Sequence, residues 1–100
     1  GYVKPYELLY IISMDHDEEA IAALIAKVNS TIESLEGKVD GIFQTDPWGR
    51  RRLAYPIKRF DEGYYVLTHF SAESEKLGEL ERVLKLSEGI LRYMITRRQP

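Results

Sequence analysis

The chain has no cysteine. That absence removes disulfides, thiolate metal sites and thiol nucleophiles together, and it suits a reducing compartment without requiring one. Long apolar runs are missing too. No segment approaches the roughly 20 apolar residues of a membrane helix, and no secretory leader is visible, so a soluble globular protein is expected. Catalytic patterns are equally scarce: the two histidines, His16 and His69, lie far apart in the chain and belong to no nucleophile arrangement. Asp15 and Asp17 stand at a helix start without the rest of a calcium loop, and the glycines form no phosphate-binding fingerprint. An enzyme, a metal site and a cofactor are therefore not expected.

What the chain does have is divided charge. With 100 residues, 44% hydrophobic and 30% charged, it should form one small domain over 1–100 with a modest core. The net charge of −2 and the pI near 5.7 hide an asymmetry. Residues 15–36 carry six acids, Asp15, Asp17, Glu18, Glu19, Glu33 and Glu36, against Lys27, whereas Arg50, Arg51, Arg52, Lys58 and Arg59 crowd into ten residues without an acid. Arg92, Arg97 and Arg98 add cations near the end. One negative and one positive side follow, and charge alone leaves two readings open: a polyanion partner, or internal pairing with the acidic helix.

Periodicity supplies the framework. Residues 6–12, YELLYII, are aromatic and β-branched and read as a buried strand. Asp15 with Glu18 resembles a capping box; Ile21, Leu24, Ile25, Val28, Ile32 and Leu35 follow at helical spacing, and Gly37 sits where a left-handed cap belongs, giving a helix of roughly five to six turns. From 38 to 58 the pattern is one long, interrupted, peripheral strand, since Pro47 and Pro56 lack ladder donors and belong at bulges or on an edge. Asp61-Glu62-Gly63 offers turn chemistry, and Tyr64 to Phe70 returns as the second arm of a hairpin. Ser71 or Ser74 opens a second helix through Leu77, Leu80, Val83 and Leu84, and Ile90 to Thr96 forms a last strand after Gly89.

The order strand, helix, strand, strand, helix, strand is the split βαβ, ferredoxin-like arrangement of the α+β class: a four-stranded antiparallel sheet with two helices on one face. Alternation sends Leu8, Tyr10, Ile12, Tyr64, Val66, Phe70, Leu91, Tyr93 and Ile95 toward the helices. Leu9, Ile11, Tyr65, Leu67 and Met94 fall on the open face, which invites a protein or a stacked base. The cations of 50–59 suit phosphates, with Trp48 and Tyr55 as stacking surfaces beside them. The octamer EGYYVLTH at 62–69 matches an RNA-recognition motif poorly, because Glu62, Tyr65 and Val66 replace a basic, a small and an aromatic residue.

Gly49-Arg50-Arg51-Arg52-Leu53-Ala54-Tyr55-Pro56-Ile57-Lys58 resembles the signature of the bacterial small-ribosomal-subunit protein six family: Gly, any, basic, polar, Leu, Ala or Ser, Tyr, any, Ile, polar. The likeness extends over nearly the whole chain, from Tyr6-Glu7 to Arg92-Tyr93-Met94-Ile95. It implies a non-enzymatic component of the small subunit that binds the central domain of its rRNA together with small-subunit protein eighteen, in the cytoplasm or in an organellar ribosome. On this resemblance Arg51, Arg52 and Lys58 are the cationic members of the signature and Tyr55 and Pro56 its structural ones. Arg92 and Arg97 occupy basic positions of the last strand, with Arg50, Arg59 and Arg98 completing the candidate RNA contacts. The partner protein would meet Trp48, Tyr55, Leu9, Ile11, Tyr65, Leu67 and Met94. A protein-interaction or small-ligand regulatory domain is the competing reading, since the fold alone licenses no function.

Overall fold

In the computed structural model, which describes residues 2–99, strand β1 (Val3–Ser13) is followed by helix α1 (Glu18–Ser34) and strands β2 (Lys38–Phe43), β3 (Gly49–Ile57) and β4 (Phe60–Glu73). A 3₁₀ turn at Ser74–Lys76 leads into α2 (Leu77–Leu86), and β5 (Ile90–Arg97) closes the order. The sheet runs β2-β4-β1-β5, all antiparallel, with β3 also paired to β4. β2 pairs with β4 between Leu67 and Ser71, and β3 pairs with it between Phe60 and Tyr65. The stretch expected as one interrupted strand is thus two segments laid end to end along one edge of β4. Pro47 lies in the loop between them, and Pro56 in a part of β3 that makes no ladder pairs, both free of any demand for an amide donor. The arrangement is the expected ferredoxin-like one.

Both helices pack on a single face. Ile21, Ile25, Val28 and Ile32 of α1 and Leu80 and Leu84 of α2 share one cluster with Tyr6, Leu8, Tyr10, Ile12, Val66 and Phe70 of the sheet. Ile90 takes the inward position expected for Leu91. The register slips between Ile11, opposite Arg92, and Ile12, opposite Ile90, so Leu91 is the extra residue and stays only half-buried.

Local chemistry moved three other expectations. The α1 N-cap is Asp17, whose carboxylate accepts from the Ala20 amide at 2.8 Å; Asp15 is left outside the helix, which is correspondingly shorter, at 17 residues. At the other end Glu36, not Gly37, is left-handed (φ 65°). Its amide donates to Glu33 O at 3.0 Å and that of Gly37 to Ile32 O at 2.9 Å, the paired bonds of a Schellman ending. The hairpin reverses at Lys58-Arg59, with Lys58 left-handed (φ 55°), rather than at Asp61-Glu62-Gly63. Gly63 is inside β4 for a steric reason: a Cβ there would stand 2.3 Å from Cγ2 of Ile11.

One polar pair is sealed in the core. Tyr10 and Thr68 are fully buried, and neither hydroxyl makes a well-formed hydrogen bond among the described residues, though Thr68 lies close enough to favour the phenolate slightly. Burial dominates, and it pushes the Tyr10 phenol well above the ordinary tyrosine range.

Two measurements check this framework. Gly63→Ala should lower the unfolding free energy by about 1–3 kcal/mol in urea titration, because Ile11 and the β1–β4 backbones must part; an unchanged midpoint would contradict the contact. Above pH ~10 the unfolded chain releases the Tyr10 proton while the folded chain keeps it. Stability should therefore fall as pH rises, with Tyr10 contributing a slope of about 1.4 kcal/mol per pH unit that Tyr10→Phe removes. Equal alkaline slopes in the two proteins would count against it.

Candidate nucleic-acid interface

The signature residues are carried by β3 and by the turn after it. Gly49 opens the strand in the left-handed region (φ 85°), where a side chain would also meet Gln44 O at 2.6 Å. Arg50, Arg51 and Arg52 then pair in register with Tyr64, Gly63 and Glu62. Alternation sends Arg51 to the open face and Arg50 and Arg52 to the other. Beyond Arg52 the ladder lapses until Ile57 meets Phe60, and the unpaired stretch 53–56 bulges over the open face. Leu53, Tyr55 and Tyr65 there line a groove of about 100 Å³ with Ile11 beneath it. Ile11 is consequently only 8% exposed, which corrects its expected place on a partner surface.

The eight candidate cations divide by what already holds them. Arg50 donates to Glu62 at 2.8 Å, and Arg59 donates to Asp15 at 2.6 Å while stacking over Phe60. Arg51 donates to Pro47 O at 2.7 Å and lies over the Tyr65 ring; Arg92 donates to the Tyr55 hydroxyl at 2.8 Å and lies over that ring. Arg98 is the most engaged. It donates to Tyr6 O at 3.0 Å and Asp40 at 2.9 Å, while Ser71 donates to the same carboxylate oxygen at 2.7 Å, so one guanidinium ties β1 and β2 to the end of β5. Arg52, Lys58 and Arg97 are exposed and have no ion pair or side-chain hydrogen bond among the described residues.

Internal pairing thus neutralises some of the cations, through Asp15, Glu62 and Asp40 rather than through helix α1, and leaves others to solvent. Asp15, Glu62 and Asp40 are the counter-ions that periodicity did not single out. Their signal was the sign of their charge, but pairing partners 44 and 58 residues apart become visible only in the folded chain. Of the expected partner surface, Tyr55 (59% exposed) and Met94 (57%) stand open. Leu9, Tyr65 and Leu67 are half-buried on the same face. Trp48 is half-buried in the β2–β3 loop, its amide donating to Thr45 O at 2.7 Å.

With that geometry in place, the comparisons with known proteins bear on it directly. The model of the family "Ribosomal protein S6" matches residues 5–97. The chain belongs to the ribosomal protein S6 family. It is 44% identical to the small ribosomal subunit protein bS6 of Clostridium novyi over 93 residues, covering 93% of this chain and 95% of that protein. With the bS6 of Dictyoglomus turgidum it shares 44% identity over 94 residues, 94% of each chain. The crystal structure of 30S ribosomal protein S6 from Thermotoga maritima superposes with a TM-score of 0.89 at 33% identity, over 97% of this chain and 89% of that one. S6 proteins are non-enzymatic components of the small ribosomal subunit, at work in the cytoplasm within the ribosome. The basic β3 of this S6-family chain is therefore part of a ribosomal protein.

The two kinds of arginine should separate in a stability assay. Arg98→Ala should cost about 1–3 kcal/mol, since it strands a partly buried Asp40 and an acceptor on Tyr6, whereas Arg52→Ala should stay within about 0.5 kcal/mol of the parent. Comparable losses in chemical denaturation would contradict this difference.

Proposed function

We propose that this chain is a structural, rRNA-binding component of the small subunit that engages the central domain of its rRNA jointly with small-subunit protein eighteen, supporting assembly and translation. The observation that carries the reading is the pair of exposed, unneutralised cations Arg52 and Lys58 on β3 and its turn, with Arg97 at the far end of β5, in a chain of the S6 family. Arg52, Lys58 and Arg97 are ready phosphate ligands. Arg50, Arg51, Arg59 and Arg92 can join them by exchanging or sharing exposed internal partners, because exposed ion pairs contribute little. Arg98 contributes least, since its donors are committed within the sheet. Leu9, Tyr55, Tyr65, Leu67 and Met94 offer the partner protein an apolar and aromatic area, with Trp48 at its margin.

Joint binding follows from charge. A chain of net charge −2 that makes only a few phosphate contacts gains affinity when a second protein holds the same RNA. A filter-binding salt titration on a central-domain transcript with protein eighteen present provides the test. Arg51→Ala combined with Arg52→Ala should flatten the plot of log affinity against log salt by roughly 1.5 units and weaken binding at every salt concentration. An unchanged affinity and slope would remove the basic strand from the interface.

A further inference from the structure

At the end of the sheet where the hairpin turns, a groove of about 490 Å³ is lined by Lys58, Leu84, Lys85, Ile90, Leu91, Arg92 and Tyr93. Three elements build it: the hairpin turn supplies Lys58, the last turn of α2 supplies Leu84 and Lys85, and the start of β5 supplies the rest. Its lining holds three cations and no acid. Its walls are apolar or aromatic, and its form depends on the register slip that leaves Leu91 outside the core. Lys58 and Lys85 are exposed and have no ion pair or side-chain hydrogen bond among the described residues. Arg92 spends one donor on Tyr55, leaving most of its guanidinium fork free. The nearest acid in contact with a lining group is Glu81, which accepts from the Tyr93 hydroxyl at 3.2 Å.

We infer that this groove binds the sugar–phosphate backbone of the RNA, with Lys58, Lys85 and Arg92 as its phosphate ligands and Leu91 and Tyr93 as its apolar floor. The inference rests on the rRNA-binding reading above and gives that reading a path. RNA crosses the hairpin turn toward the C-terminal end of α2, with Arg92 reaching it from the open-face groove that it shares with Tyr55, while Leu9, Leu67 and Met94 stay available to a protein. Charge complementarity selects the occupant, for a surface with three cations and no acid favours a polyanion over an acidic or neutral peptide only if the polyanion is densely charged. Next to it, sharing Lys58 and Leu91, lies a depression of about 520 Å³ whose lining adds Asp15, Arg59 and Glu88; Arg59 neutralises Asp15 there, and Glu88 is the carboxylate left to oppose phosphate in that direction.

Lys85 is the residue that distinguishes this path from a contact made by the basic strand alone. Its position in the last turn of α2 also suits the negative end of the helix dipole, so a purely structural role would show as a loss of stability. The salt slope of RNA binding separates the two roles, because a helix-capping charge does not change the number of counterions released. In the filter assay with the central-domain transcript and the partner protein, Lys85→Gln, Lys58→Gln and Arg92→Gln should each reduce the slope by roughly 0.7–0.9 and weaken binding about three- to tenfold. Lys76→Gln, at the other end of α2 and paired with Glu36 at 3.6 Å, serves as the unchanged reference. Lys58→Gly keeps the left-handed turn while removing the charge, and should match Lys58→Gln if the charge is what matters. If the parent protein binds and Lys85→Gln leaves affinity and slope intact, the groove is overturned while the functional reading stands. If the parent protein itself fails to bind the transcript, the functional reading falls and the groove with it.

Discussion

Strand β4 satisfies backbone hydrogen bonds on both of its edges along nearly its whole length, and the rest of the molecule is arranged around that requirement. One edge is paired with β1 from Val3–Glu73 to Ser13–Gly63. The other is divided between β2 and β3, and the point of division falls near the middle of the strand. A buried strand cannot leave amides unpaired, so the chain between the two helices must travel the full length of β4 even though it bends on the way. Loop 44–48 is that bend. It also determines where the basic signature lies, since β3 can begin only after it.

The same strand explains why positive charge collects at one end. β3 pairs with residues 60–65 of β4, the first three of which run past the end of β1, and its Arg50 and Arg52 side is exposed. Side chains there answer to solvent and to one another. The fold uses this freedom unevenly: Arg59 joins the hairpin turn to the residues before α1, Arg92 holds the bulge of β3 through Tyr55, and Arg98 fastens the opposite end of the sheet. Within the run 50–59, cations with internal partners (Arg50, Arg51, Arg59) are interspersed with cations that face solvent (Arg52, Lys58), which is why composition alone could not tell them apart.

Much of the architecture was legible in the sequence because hydrophobic periodicity reports burial directly. Ile21, Ile25, Val28 and Ile32 identify α1, and the alternation through Leu8, Tyr10 and Ile12 identifies β1, without any knowledge of their neighbours. The misjudged features share a different cause. Asp17 rather than Asp15 caps α1, and Glu36 rather than Gly37 turns left-handed, because nearby residues compete for each cap and the choice falls to local hydrogen bonds whose exact register periodicity does not report. Gly63 resembled a turn residue and proved to be a point of close approach to Ile11. Ile11 itself alternates correctly to the open face, but a bulge from a distant part of the chain covers it, and no periodicity in β1 encodes that cover. The site was legible as a charge concentration and a family signature, while its internal counter-ions depended on contacts made across dozens of residues.

Arg98 binds Tyr6 O and Asp40 at the end of the sheet where β1 begins and β5 finishes. Eight residues of β5, about 25 Å of extended chain, separate that end from Ile90 at the groove. Both ends of the described chain thus leave from the side of the molecule remote from the hairpin turn. An affinity tag, a fluorophore or a surface tether attached at either end would stand clear of the basic groove, so that an immobilised molecule presents this surface outward to its ligand.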